Sequence, residues 1–299
     1  MGKKSLLIRL FALVAAMMCA LGIHAQEAYA CYTSSNTTLT FYYDTQRSSR
    51  PGTTYDLNTG TNFPDWDINV TKVFFDPSFA DARPTTTFFW FSDMVNLQSI
   101  TDVNYLNTSE VTNMEYMFFD CNQLTSIDVS NFNTSKVTNM CGMFVNCIGL
   151  TSLDLSSFNT SKITDMEAMF YGCRNLRTIY VGNAWTTNAV TKSPNMFYCC
   201  TNLVGGQGTT YDASNPTDKT YAHIDGGPSN PGYFTDKNAS IGDVTGEGDV
   251  DVSDVNAVIN IILHKKTEAD YPGNADITGE GNIDVSDVNA IINIILHKN

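Results

Sequence analysis

The chain has 299 residues, 42% of them hydrophobic, and a formal net charge of −14 at pH 7. This length leaves room for two domains, each with a core of its own. The negative charge argues against a nucleic-acid partner, since no basic patch is present to meet phosphate groups.

The N-terminus has the pattern of a secretory signal peptide, which we predict to cover residues 1–25. Lys3, Lys4 and Arg9 form a positively charged start, and residues 10–22 form an apolar run that is too short to span a bilayer. No later segment is long and apolar enough to cross a membrane. We therefore expect a secreted, extracellular or cell-surface protein.

The middle of the chain repeats itself with a period of 26 or 27 residues. Apolar positions recur in phase through residues 111–203, and a weaker copy precedes them at Trp90, Met94 and Leu97. A fixed period in this range is typical of stacked repeats. The recurring positions include Met117, Met143, Met169 and Met196; Cys121, Cys147, Cys173 and Cys200; and Leu124, Leu150, Leu176 and Leu203.

Each repeat divides into a predicted short helix and a predicted strand. The apolar residues from Met114 to Cys121 stand at spacings i, i+3, i+4 and i+7, which is one face of a helix. The following segment 124–129 alternates like a strand with one buried face. We therefore predict an α/β solenoid, with parallel strands and short helices, across residues 26–236 and clearest at 90–205.

Seven cysteines follow the predicted signal peptide. Four of them occupy one repeat position, which favours packing as small apolar side chains. Two alternatives stay open. One is a disulfide within the set Cys141, Cys147, Cys199 and Cys200. The other is a catalytic thiol, although no histidine lies within the repeats to activate one.

The repeat unit, VTNMxxMFxxCxxLTSLDLSSFNTSK, resembles the repeats of BspA-like bacterial surface proteins, and its L-x-x-[IL]-x-[VL] part resembles leucine-rich repeats. The flanking segments LTFYYDTQRSS and YAHIDGGPSNPGYFT are similar to that family as well. The resemblance implies surface exposure and adhesion, without specifying a ligand. Polar strand positions such as Ser126 and Asp128 are either a docking surface or a solvated face.

The last part of the chain contains one motif twice. Residues 243–266 and 276–299 are identical at 19 of 24 aligned positions, and each copy is an acidic loop that leads into an apolar helix. A Ca²⁺ loop of the EF-hand type takes oxygen ligands from positions 1, 3, 5, 7, 9 and 12. We therefore predict two Ca²⁺ ions. The predicted ligands are Asp243, Thr245, Glu247, Asp249, Asp251 and Asp254 in the first loop, and Asp276, Thr278, Glu280, Asn282, Asp284 and Asp287 in the second.

The C-terminal region resembles the type I dockerin family in three features. Each loop has Asp at position 12, a helix follows but does not precede each loop, and the two loops begin 33 residues apart. The resemblance implies two bound Ca²⁺ ions and docking onto the cohesin modules of a scaffold protein. We expect residues 237–299 to form a small all-α domain of this kind. Thr245 and Thr278 replace the usual Asn or Asp at position 3, and Glu replaces the commoner Asp at position 5. We therefore predict weaker Ca²⁺ binding than is typical of the family.

Each C-terminal helix has a predicted core stripe, from Val255 to Leu263 in the first copy, and a second, narrower strip. The dockerin resemblance implies partner contacts at loop positions 10 and 11 and along the helix. The strips are either two alternative docking faces or surfaces that cover the other helix or the repeats. The predicted contact residues are Val252, Ser253, Ala257, Ile261 and His264, and their counterparts Val285, Ser286, Ala290, Ile294 and His297.

The sequence contains no evident catalytic constellation, and we predict no enzymatic activity. A glycosidase would need two carboxylates that flank one cleft, whereas the repeat period accounts for most aspartates before the tail. We expect a binding protein whose repeats recognise a protein or glycan-associated target and whose tail attaches to a cohesin-like scaffold. The alternatives are an accessory component of a polysaccharide-degrading complex and a tail that caps the repeats as a Ca²⁺-stabilised structural element.

Overall fold

Two groups of buried apolar side chains form separate cores, one in the N-terminal and repeat regions and one in the C-terminal region. The predicted signal peptide lies outside the described residues, except for its last position. The computed structural model describes residues 25–58, 69–237, 242–245, 250–271, 275–278 and 282–296.

A five-stranded mixed sheet begins the described chain. Its strands are β1 (Glu27–Thr33), β2 (Thr38–Asp44), β3 (Thr53–Asp56), β4 (Lys72–Phe75) and β5 (Ser99–Thr101), in the order β3-β1-β2-β4-β5. Strand β1 is antiparallel to β2 and β3, whereas β4 is parallel to both β2 and β5. Phe41 of β2 stacks on Phe75 of β4 and on Trp90, with ring centroids 4.7 and 5.1 Å apart. The apolar face of the sheet therefore continues into the core of the repeats.

Successive repeats are joined by a ladder of backbone hydrogen bonds. The N–H groups of Met114 and Tyr116 donate to the carbonyl oxygens of Asn139 and Cys141, one repeat later, at 3.0 and 2.9 Å. The 26-residue period thus sets the register of the backbone, and it also aligns a column of stacked rings in the core. The rings lie at centroid separations between 5.3 and 6.0 Å and belong to Phe91, Phe118, Phe144, Phe170 and Phe197.

The prediction of short helices within the repeats is wrong. Residues 114–121 form consecutive tight turns, in which Tyr116 and Asp120 adopt left-handed conformations with φ values of 52° and 56°. A left-handed residue at every fourth position interrupts the helical hydrogen-bond pattern, and alternate N–H groups donate to the next repeat instead. The four residues at the helical spacing, Met114, Met117, Phe118 and Cys121, are still fully buried. The spacing therefore predicted burial but not conformation.

The strands of the repeats are also fewer than predicted. Strands β6 (Ser152–Leu155), β7 (Thr178–Val181) and β8 (Phe234–Asp236) form a parallel sheet in that order. Residues 124–129 of an earlier repeat are not in a strand. The predicted α/β solenoid is therefore wrong, because the described residues contain a mixed sheet and a small parallel sheet, with α-helices only in the C-terminal region.

The seven cysteines of the described residues are free thiols. The four at the recurring position each donate an S–H hydrogen bond, at 2.9 to 3.1 Å, to the carbonyl oxygen of the stacked phenylalanine in the preceding repeat. Burial raises the pKa of the Cys173 thiol to about 12. These contacts support the packing interpretation over a disulfide or a catalytic thiol.

Gly142 leaves space for the ring of Tyr116 from the preceding repeat. A β-carbon on Gly142 would lie 2.1 Å from Tyr116 Cε1. Ala168 has a φ of 52° at the equivalent position of the next repeat, so the backbone conformation alone does not require glycine. We expect Gly142→Ala to lower the free energy of unfolding by about 1–3 kcal/mol through overpacking, as measured by urea denaturation.

A double-mutant cycle separates the ring from the backbone as the cause of this effect. Truncating Tyr116 to alanine in the Gly142→Ala background should recover most of the loss, because the ring no longer meets the new methyl group. A neutral Gly142→Ala variant, or a loss that persists without the ring, would show that Gly142 has another role.

The C-terminal region contains helices α1 (Val252–Ile262) and α2 (Val285–Leu296), which pack against each other. The described residues before the two helices form extended segments, turns and one 3₁₀ turn (Glu268–Asp270), so the prediction of an all-α domain is wrong. Asp251 begins α1 in an extended conformation, because its carboxylate accepts the N–H of Ser253 as a helix N-cap. The core of this region is formed by Val244, Val250, Ala257, Val258, Ala275 and Ile291.

Candidate functional site

The first C-terminal loop converges on the carboxylate of Asp254, in the first turn of α1. Asp254 is fully buried. Its Oδ1 accepts hydrogen bonds from the N–H and the hydroxyl of Thr245, both at 2.9 Å, and its Oδ2 accepts the N–H of Asp251 at 2.8 Å. Asp251 and Asp254 form a capping box, so the start of the helix fixes the orientation of the loop carboxylate.

The second loop has the same arrangement around Asp287 in α2, which is also fully buried. Its Oδ1 accepts the N–H and the hydroxyl of Thr278 at 3.0 and 3.1 Å, and the N–H of Ile277 at 2.8 Å. Its Oδ2 accepts the N–H of Asp284 at 2.9 Å. Burial by itself raises the pKa of Asp287, but the N–H groups of Asp284 and Thr278 lower it below its ordinary value. The carboxylate is therefore charged at neutral pH.

The structure thus brings together positions 3, 9 and 12 of both predicted Ca²⁺ loops. The hydroxyl of position 3 and the carboxylate of position 12 supply oxygens of the hard kind that Ca²⁺ takes in proteins, so these two positions fit the ion. Position 9 joins them through its backbone N–H, while its own carboxylate caps the helix. The Thr278 hydroxyl donates to Asp276 Oδ1 at 3.5 Å, and the predicted ligands Asp243 and Asn282 also lie within the described residues. The predicted ligands Glu247, Asp249 and Glu280 lie outside the described residues.

A different cluster of ligand-type side chains lies in the repeats. Within the described residues, the thiol of Cys141 and the carboxylates of Asp165 and Glu167 place their ligand atoms within 4.8 Å of one another. Lys192 forms ion pairs with both carboxylates, at 3.3 Å for Asp165, and so already offsets their charge. Sequence reasoning missed this cluster, although Cys141 and Glu167 are one repeat period apart and that offset marks neighbours in the ladder.

The predicted partner-contact residues do not form one exposed strip. Ala257 is buried in the core at 2% exposure, so its prediction as a contact residue is wrong. Ile261 and Ile294 are half-buried and pack against the same core, because these faces of the helices turn towards each other. Among the remaining predicted contacts, Ser253, Ser286 and Ala290 are half-buried, His264 is exposed, and His297 lies outside the described residues.

The exposed apolar surface instead follows a different line on each helix. On α1 it is formed by Val252 and Leu263, with the half-buried Ile259 between them. We call these three residues the α1 stripe; Ile259 and Leu263 follow Val252 by seven and eleven residues, which keeps them on one side of a helix. Val252 and Leu263 are 65% and 55% exposed, so the prediction of Leu263 as a core residue is wrong. The α2 stripe consists of the equivalent residues Val285, Ile292 and Leu296, which are 63%, 38% and 66% exposed.

The C-terminal region is thus a module with two loops that carry oxygen ligands and two helices that each present an apolar stripe. It follows a region of repeats that are joined by backbone hydrogen bonds. Residues 241–296 match the family model of the dockerin type I domain. Residues 86–210 match the family described as Mycoplasma protein of unknown function, DUF285. Comparisons with curated proteins and with solved structures give no match.

The two family matches confirm the resemblance of the tail to type I dockerins and of the repeats to the BspA-like surface family. A dockerin domain supports a cohesin-binding tail and Ca²⁺ as its ion, whereas the number of ions stays a prediction. The domain boundaries at 25 and 236 stay predictions as well. In the part of the chain that the structure describes, no helix has the length and apolarity to cross a bilayer.

Proposed function

We propose that the chain is a secreted or cell-surface binding protein without enzymatic activity. Its repeats recognise a protein or glycan-associated target, and its Ca²⁺-binding tail attaches to a cohesin module of a scaffold. The observation that carries the proposal is the duplicated loop and helix, in which positions 3, 9 and 12 meet in both copies. The dockerin match over the same residues supplies the partner class.

The equivalent α1 and α2 stripes support two alternative docking faces for one partner. Because both stripes present the same side chains, either one alone can bury an apolar surface against a cohesin module. We expect Val252→Asp or Val285→Asp alone to change the dissociation constant by less than about threefold. The double variant should weaken binding by about 100-fold or more, as measured by calorimetry.

Exposed positions make these substitutions a cleaner test than changes at the half-buried Ile261 or Ile294, where an aspartate would also disturb the core. Helix content from circular dichroism provides the control for folding. If one single variant abolishes binding while the other has no effect, the partner uses one fixed face and the dual-face proposal is incorrect.

The proposal that the chain is not an enzyme is supported by the environment of its polar groups. Asp225 lies two residues after His223, but its carboxylate accepts the N–H groups of Gln207, Thr209 and Gly227 at 2.9 to 3.0 Å. This carboxylate holds a loop together and is not directed at a substrate. Incubation of the purified chain with plant and host glycans should release no reducing sugar, and release above a heat-denatured blank would contradict the proposal.

Separate cores favour an attachment module over a tail that caps the repeats. The buried residues around α1 and α2 form a cluster that includes no side chain of the repeats. Limited proteolysis of the full chain should therefore release a stable C-terminal fragment. If the repeats and the tail are instead degraded together, without such a fragment, the result would favour a tail that caps the repeats.

A further inference from the structure

We infer that one patch on the turns of the repeats docks an acidic segment of a partner protein. The patch, which we call the arginine–tyrosine patch, consists of Ile148, Tyr171, Arg174, Arg177 and Tyr198. The inference rests on the proposed role of the repeats in recognising a target, and it names the surface and the chemistry of that recognition.

Contacts between successive repeats bring the patch together. The rings of Tyr171 and Tyr198 hold the same position in neighbouring repeats and stack with their centroids 5.2 Å apart. Arg174 follows Tyr171 in the same turn. The side-chain amide of Asn175, the next residue, donates to the carbonyl oxygen of Ile148 at 2.9 Å. The aromatic, basic and aliphatic side chains therefore belong to one continuous surface across three repeats.

The two guanidinium groups of the patch are exposed and have no carboxylate to pair with. Within the described residues, neither Arg174 nor Arg177 lies in an ion pair, although the chain has a net charge of −14. Glu167, which precedes them in the same repeat, is already paired with Lys192. A guanidinium group binds a carboxylate through two parallel hydrogen bonds. The patch therefore complements an acidic group from outside the chain.

The apolar part of the patch favours a polypeptide as the source of that acidic group. Tyr198 is 45% exposed and Ile148 is 38% exposed, beside the two arginines. Tyrosine and arginine are the residue types that most often carry the binding energy of protein interfaces. An acidic polysaccharide offers carboxylates, but it has no apolar side chains to cover an isoleucine.

The strand side of the described repeats presents a different surface. The carboxylate of Asp128 accepts the N–H of Ser130 at 2.9 Å, and Asp154 pairs with Lys237 at 3.1 Å. The ammonium group of Lys237 also lies over the ring of Tyr180, 4.7 Å from its centroid. Polar groups on that side are thus engaged within the chain, whereas the arginines on the turn side are available to a partner.

An immobilised random copolymer of glutamate and tyrosine, titrated with the full chain in millimolar Ca²⁺, tests the inference by biolayer interferometry. We expect saturable binding. The double variant Arg174→Ala, Arg177→Ala should weaken it at least about tenfold, because the carboxylates of the copolymer lose their partners. Tyr198→Ala should weaken it about threefold or more through the loss of apolar contact. All three side chains are exposed, and circular dichroism checks that the variants fold.

The matched control is the double variant Arg83→Ala, Lys162→Ala. It removes the same two charges from exposed positions outside the patch, and binding should stay within about twofold of the wild type because salt screens distant surface charges. Immobilised polygalacturonate provides an acidic glycan for comparison. The inference would be overturned by absence of copolymer binding, by equal weakening in the control, or by tighter binding to polygalacturonate.

Titration of the same variants with a cohesin module reports on the tail alone, and it should be unchanged. Loss of the patch effect with intact cohesin binding would therefore overturn the docking surface and leave the proposed attachment in place. Copolymer binding that depends on the patch, in a chain that binds no cohesin module, would instead contradict the proposed attachment and retain the docking surface.

Discussion

Replacing Phe144 by alanine is expected to lower the free energy of unfolding of the repeat region by about 3–5 kcal/mol, the range for a fully buried aromatic side chain. The Phe144 ring is 0% exposed and stacks between Phe118 and Phe170, with centroids 5.4 and 6.0 Å away. Truncation leaves a cavity that the ladder of backbone bonds prevents from closing. Urea denaturation, monitored by tyrosine and tryptophan fluorescence, measures the change.

Phe119 is a matched control for this substitution, because it has the same side chain but is half-buried and lies outside the column, where its ring meets the edge of Tyr116. Its replacement by alanine should cost about 1 kcal/mol or less. Equal costs at Phe119 and Phe144 would contradict the conclusion that the stacked column stabilises the repeats. If the urea unfolding transition of Phe144→Ala is broader than that of the wild type, the substitution has weakened the contacts between neighbouring repeats.

Replacing the position-12 aspartates is the second change with a large expected effect. Asp254→Asn should remove Ca²⁺ binding from the first loop and Asp287→Asn from the second, because an amide no longer supplies the charged ligand at the point where positions 3, 9 and 12 meet. In each variant, calorimetry should show half of the wild-type Ca²⁺ stoichiometry. The double variant should show no binding at millimolar Ca²⁺.

Asp270 provides the control for the aspartate variants. Its carboxylate accepts the N–H and the hydroxyl of Thr267 at 2.7 and 3.0 Å, as Asp254 does from Thr245, but it lies between the two loops. Asp270→Asn should leave Ca²⁺ binding unchanged. Wild-type Ca²⁺ heat from the Asp254 and Asp287 double variant would exclude the loops as the metal sites.

The sequence predicted which residues of the repeats are buried, but not the backbone that buries them. Spacings of i, i+3, i+4 and i+7 arise in a helix and equally in tight turns that alternate with left-handed residues. Tyr116 gives no local signal for its φ of 52°, and Asp120, a residue type that tolerates the left-handed conformation, gives only a weak one for its φ of 56°. Those conformations are stabilised by backbone bonds to residues 25 positions later, such as Tyr116 to Cys141, which no local pattern reveals.

The C-terminal loops were predicted better than the helices that follow them. Loop register alone placed Thr245 and Asp254 together, since a ligand loop must direct fixed positions at one point. Which side of each helix faces the core depends on tertiary packing. Close packing of α1 on α2 buries Ala257 of the narrower strip together with Val258 of the predicted core stripe, and it leaves Leu263 exposed.

Docking of the tail onto a cohesin module is tested most directly by titrating the full chain, in millimolar Ca²⁺, with purified cohesin modules from the source organism. Hydrogen exchange of the complex then locates the contact. We expect saturable binding to at least one module, with new protection in α1 or α2, at the ends that carry Val252 and Leu263 or Val285 and Leu296. Absence of binding to every module, or protection confined to residues 86–210, would contradict it.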